Sequence, residues 1–220
     1  MQRAATVLGS SIGRKLVMAV TGVLLFGFVT MHMIGNLQIY LGPKGLNDYA
    51  EFLRTFLHGG GIWIFRGVML AAVGLHIWAA TTLTIENWSA RPVGYRKRRN
   101  IESTYASRTM IWSGPILGLF VIYHILHFTL GTAHPNFVEG DVYRNVVAGF
   151  QVVPVSIVYI VAMLALGLHM YHGIWSMLQT LGLSHPRWNR LRAAFSTGMA
   201  LLIVIGNISI PVAVMAGMVK

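Results

Sequence analysis

The sequence contains no cysteine. That excludes disulfides, iron–sulfur ligation by this chain and covalent attachment of a c-type haem. Acidic residues are almost as scarce: six Asp and Glu in 220 residues, and only 10% of residues charged. An average soluble protein is about 25% charged. No strand-like alternation, internal repeat or low-complexity linker interrupts the chain, and there is no H-E-x-x-H zinc motif.

What is abundant is apolar sequence, 55% of the chain. Five runs, roughly 16–41, 62–85, 109–131, 153–181 and 193–217, each exceed the ~20 residues a helix needs to cross a bilayer core. The expected fold is an all-α integral membrane bundle of five transmembrane helices in one domain spanning 1–220. Twelve of the seventeen Lys and Arg fall on one side of the implied membrane: Arg3, Arg14 and Lys15; Arg91, Arg96, Lys97, Arg98, Arg99 and Arg108; Arg187, Arg190 and Arg192. Lys44, Arg54, Arg66, Arg144 and Lys220 fall on the other. The positive-inside rule then places the N-terminus in the cytoplasm and the C-terminus outside. The basic stretch "YRKRRN" reads as a topogenic loop at lipid headgroups, so the net charge of +11 does not indicate nucleic acid. The first apolar run lacks a small-residue cleavage site and reads as a retained anchor helix.

Between the first two spans, Asp48 precedes Glu51 by three residues, a capping-box-like helix start. Leu46, Tyr49, Phe52, Leu53, Phe56 and Leu57 give an amphipathic helix lying in the interface. A similar apolar side, Phe137, Tyr143, Val146, Val147 and Phe150, follows the third span.

Six of nine histidines, His32, His76, His124, His127, His169 and His172, lie within spans, where an ionisable group is a functional candidate by default. His32 is 17 residues beyond Lys15 and His124 is 16 beyond Arg108; His76 is 10 before Glu86 and His169 is 10 before Gln179. At about 1.5 Å per residue these form two levels of two imidazoles each. His127 and His172 fit their levels less well and remain alternatives. Opposed imidazoles suit a planar metal macrocycle with both axial positions filled, hence haem b in an electron-transfer role. Gly35, Gly74, Gly118, Gly167 and Gly173 are expected to leave room for a flat ring.

"SSIGRKLVMAVTG" leading to "HMIGNL", then "LHIW", "ASRTMIWSG" leading to "YHILHFT", "HMYHGIWSMLQTLG" and "GNISIPVAV" carry a further indication. In this order the chain resembles the di-haem cytochrome b membrane anchor of succinate:quinone oxidoreductases, succinate dehydrogenase or fumarate reductase, of the single five-helix type. The resemblance implies two b haems, a distal one on His32 and His124 and a proximal one on His76 and His169. It implies a cytoplasmic flavoprotein and iron–sulfur partner, a membrane quinone (menaquinone for the di-haem type), and a bacterial cytoplasmic membrane, with higher oligomers of the complex possible. Ser11, Arg14, Ser107, Arg108 and Gln179 are placed for haem propionates at the inner side. Glu51, with Asp48 and Arg54, is the candidate proton donor group for a quinone near the distal level. Where some relatives carry a glutamate two residues before the fourth-helix ligand, this chain has Gly167, which argues against a carboxylate proton path. The competing readings are the haem b anchor of a hydrogenase or formate dehydrogenase, a proton-coupled transporter, and a haem-free anchor.

Overall fold

The computed structural model describes residues 9–90 and 103–220. Arg3 and the basic stretch with Arg91, Arg96, Lys97, Arg98 and Arg99 lie outside the described residues. Five long helices carry the apolar runs: α1 (Ser11–Asn36), α3 (Gly60–Ser89), α4 (Tyr105–His124), α6 (Val153–Thr180) and α7 (Asn189–Met215). Each is long and apolar enough to cross a membrane, and among the described residues every regular element is helical. Two shorter helices, α2 (Gly42–Thr55) and α5 (Val142–Gln151), fill the connections on the side of the bundle away from the N-terminus of α1.

Local chemistry sets the ends. Ser10 Oγ accepts from the Gly13 N–H at 3.0 Å to start α1, and Thr104 Oγ1 accepts from Ser107 N–H at 3.1 Å to start α4. α2 begins at Gly42 with Pro43 in its first turn, not at Asp48. Proline lacks the N–H that a first turn leaves unpaired and its φ is already helical, so it takes the start. Asp48 then sits mid-helix, paired with Lys44 at 2.5 Å. Phe52 and Leu53 of α2 are exposed, as an interfacial helix requires, and so are Phe56 and Leu57, which the sequence put on the same helix but which follow its end at Thr55. α5 differs: Tyr143, Val147 and Phe150 are buried, so it plugs the bundle end.

α1 packs against α3, α6 and α7; α4 packs against α6, and α6 against α7. One core cluster at the α5 end joins Ile39, Leu46, Tyr143, Phe150, Tyr159 and Ile210. A second, between α1, α6 and α7, joins Met33, Met170, Ile174, Ala200 and Ile203. By contrast, α1–α4 and α3–α6 have no extensive backbone packing, which leaves a cleft between α1, α3, α4 and α6.

Candidate functional site: two histidine pairs across a helical cleft

The histidines span the gaps where the backbones do not meet. His76 on α3 faces His169 on α6, ring centroids 6.4 Å apart; His32 on α1 faces His124 on α4 at 5.7 Å. We call these the proximal and distal levels by distance from the N-terminal end of α1. Two imidazoles bonded to one metal through nitrogens at about 2 Å each have centroids roughly 6 Å apart. Both separations match that span. Among the described residues no three His, Asp or Glu side chains converge on one point, so the donor set is one of facing pairs.

The nitrogens are oriented by hydroxyls. Thr21 Oγ1 donates to the Val17 carbonyl at 2.8 Å, which spends its only proton. Its 3.1 Å contact with His76 Nδ1 therefore has the imidazole donating. Nε2 of His76 then carries the ring's lone pair. Ser113 Oγ lies 3.2 Å from His169 Nδ1 and can set the same tautomer. At the distal level Tyr159 Oη lies 3.3 Å from His124 Nδ1, and the Phe28 ring stacks on His32 at 5.2 Å. Phe65 of α3 closes on Phe28 at 5.5 Å.

These braces follow a spacing that sequence reading passed over. Thr21 and His32, Ser113 and His124, and Phe65 and His76 are each eleven residues apart, and Tyr159 and His169 ten. Eleven residues at about 100° each make just over three whole turns, so both side chains share one helix face about 16 Å apart. α1, α4 and α6 thus each offer a histidine to one level and a hydroxyl to a histidine of the other, while Phe65 of α3 reaches the distal level through Phe28. His134, in the loop before α5, is also buried, its Nε2–H donating to the Asn145 carbonyl at 2.8 Å.

His127 and His172 are not brought into either pair. His127 is fully buried in a π-helical turn, Ile125–Thr129, closed by Leu130 N–H to the Ile125 carbonyl at 2.9 Å. The wider turn rotates it off the face of His124 and against α5.

Of the glycines expected to make room, Gly173, one turn from His169, borders open space. Gly22 does too, its nearest neighbour being the His76 ring. Gly74 and Gly118 also meet nothing, but helical rotation of about 200° and 240° turns them away from His76 and His124. Gly35 and Gly167 serve packing instead: a Cβ would collide with the Tyr49 ring and with Val204 of α7 respectively.

At the proximal end Arg14, only 14% exposed, pairs with Glu86 at 2.5 Å and caps the Gly9 carbonyl. Ser107 bonds back to Thr104, whereas Ser11, Arg108 and Gln179 are exposed or face outward near that boundary. Glu51 and Arg54 are exposed on α2, and Asp48 is held by Lys44. Nearby, Asp141 caps α5 and accepts from Asn47 Nδ2 at 3.0 Å and from Arg144 N–H at 3.1 Å. These bonds, the Asn47 side chain first, hold its carboxyl below the usual carboxylate range.

Residues 94–206, just over half of the chain, match the family of succinate dehydrogenase/fumarate reductase transmembrane subunits. The chain belongs to this family. Comparison with curated proteins gives no match, nor does comparison with solved structures. This transmembrane subunit is accordingly a multi-pass membrane protein, and its family implies association with the catalytic subunits of the enzyme. The match covers α4 and α6 with His124 and His169.

Proposed function

We propose that this transmembrane subunit is a di-haem cytochrome b anchor of a succinate:quinone oxidoreductase, with a proximal haem b on His76 and His169 and a distal haem b on His32 and His124. The observation that carries the reading is that two imidazole pairs, each at the separation of a bis-histidine site, bridge helices that otherwise scarcely pack. The haems, when bound, supply one-electron transfer without an open coordination site. The chain's own residues do the rest. Thr21 and Ser113 hold the proximal imidazoles with Nε2 toward the metal. Phe28 and Tyr159 hold the distal ones. In this reading the subunit, which has no cysteine for an iron–sulfur cluster of its own, passes electrons between a cytoplasmic iron–sulfur subunit, itself served by a flavoprotein, and membrane quinone.

In this reading the N-terminus and the basic end face the bacterial cytoplasm. Arg14 would hold a propionate of the proximal haem in place of part of its bond to Glu86, with Ser11, Ser107, Arg108 and Gln179 along the same boundary. A quinone, menaquinone in the di-haem type, takes its proton near Glu51, with Asp48 and Arg54 alongside. Gly167 turns toward Val204 of α7 and brings no carboxylate to the cleft. Electron transfer across the bundle is then uncompensated by protons, and turnover in proteoliposomes responds to an imposed potential.

Pyridine-haemochrome quantitation of the purified, partner-assembled complex tests the assignment. Two b haems per chain are expected, with one lost in His32→Ala and one in His76→Ala. A wild type without haem returns the chain to the role of a plain anchor.

A further inference from the structure

We propose that Tyr159 is a positioning residue for His124, and that His127, the second histidine of the H-x-x-H pair, acts by fixing the direction of the Tyr159 hydroxyl. The inference rests on the reading in which His124 ligates the distal haem. Tyr159 Oη lies 3.3 Å from His124 Nδ1 and 3.0 Å from His127 Nδ1. A phenol has one proton to give and lone pairs to receive. A neutral His124 that binds a metal through Nε2 carries its proton on Nδ1, and that proton goes to Tyr159 Oη. The phenol proton then has His127 Nδ1 as its acceptor. His127 in consequence keeps its own proton on Nε2, and that nitrogen is buried with no partner.

An unpaired buried N–H persists only where the surroundings leave no alternative. They are close on every side. The His127 ring stacks on Tyr123 at 5.4 Å and 10°, and on His134 at 4.9 Å and 26°. Gly149 of α5 sits so near that even a Cβ would come within 2.9 Å of His127 Cε1. His134 is fixed at both nitrogens, accepting from Asn136 N–H at 3.1 Å and donating to the Asn145 carbonyl. The chain Asn145–His134–His127–Tyr159–His124 therefore runs from the α5 end of the bundle to the distal level. The reverse proton order would put hydrogen on His124 Nε2 and forbid ligation. His127 itself is unsuited as a ligand, with one nitrogen taken by Tyr159 and the other sealed. An acceptor on Nδ1–H fixes the ring plane and raises the donor strength of Nε2, which stabilises the oxidised metal.

The test uses the partner-assembled complex, with haem content, potentiometric titration and low-temperature EPR as readouts. Tyr159→Phe keeps the ring against Phe120, Phe128 and Phe150 and removes only the hydroxyl. Its distal midpoint potential is expected to rise and its distal low-spin signal to shift, with the proximal haem unchanged. His127→Phe is expected to shift the distal haem in the same sense, and the double variant no further than Tyr159→Phe alone. Two haems in the wild type with an unmoved distal midpoint in Tyr159→Phe, or strictly additive shifts, would overturn the inference and leave the haem reading intact. A wild type without haem would overturn both. Should Tyr159→Phe lose the distal haem, His127→Phe decides: a shifted distal midpoint supports the inference and an unmoved one overturns it.

Discussion

The two histidine levels are built from the same four helices but braced by different chemistry. The proximal pair is held by aliphatic hydroxyls, Thr21 and Ser113, each one helix away from the ring it touches. The distal pair is held by aromatics, Phe28 stacked on His32 and the Tyr159 phenol beside His124. The difference follows from the surroundings. The distal level abuts α5 and the cluster of Phe120, Phe128, Phe150 and Tyr159, where rings must fill volume. At the proximal level Thr21 and Ser113 bond to carbonyls of the preceding turn and still reach across. Three of the four histidines, His76, His169 and His124, meet at Nδ1 a hydroxyl from another helix, whereas His32 is stacked on Phe28 of its own.

The strongest way to break this comparison is within one helix. His169→Ala should remove one of two b haems and His172→Ala neither, by pyridine haemochrome, because only His169 faces a partner ring. Loss in His172→Ala alone would exchange the two assignments. Gly173→Val sharpens it sterically. The branched side chain enters open space one turn from His169, so the proximal haem should fall to substoichiometric levels while the distal one stays; unchanged optical spectra would show the cleft to be elsewhere. Gly35→Ala is the contrasting case: its Cβ drives into the Tyr49 ring, so the fold should lose about 1–3 kcal/mol, measured by thermal unfolding in detergent, with both haems affected together.

Thr21→Val tests the proximal brace alone. Removing the acceptor of His76 Nδ1–H should weaken proximal haem retention by about 10–100-fold, read from haem transfer to an apo-acceptor protein, and leave the distal haem untouched. The smallest effect is expected outside the membrane. Asp141→Ala removes the α5 cap and should cost about 1 kcal/mol of stability at neutral pH. The folded carboxyl titrates below its unfolded value, so this stabilisation is present above the unfolded value and is lost as pH falls through the lowered one. A variant with the same acid sensitivity as wild type would remove Asp141 from that account.

Much of this was legible in the residues. The five apolar runs match the observed helices to within a few positions, because uninterrupted hydrophobicity over more than twenty residues admits little else. Counting from the charged ends paired His32 with His124 and His76 with His169, because rise per residue is nearly constant. The same count favoured His124 over His127 and His169 over His172 but kept the neighbours open, and what turns His127 away, the π turn at Ile125–Thr129, had no signal in the residues. Nor were the braces: Thr21 and Ser113 read as unremarkable small residues in a span until His76 and His169 are seen across from them. The start of α2 was misplaced because a capping-box pattern at Asp48 and Glu51 competes with Pro43, and proline prevailed. Gly35 and Gly167 were assigned to the cleft for their nearness in sequence to the histidines, yet the neighbours that explain them come from α2 and α7.

The three-turn spacing between brace and histidine constrains how such a chain can change over generations. Removing one residue between Thr21 and His32, or between Ser113 and His124, turns one side chain by about 100° relative to the other and shortens their separation by about 1.5 Å. One of the two levels must then lose its contact, whichever end of the helix holds its place. Drift in these intervals is confined to exchanging residues at fixed length. Each of these helices is in effect a measuring rod, and its length is as much a part of the site as the imidazoles it carries.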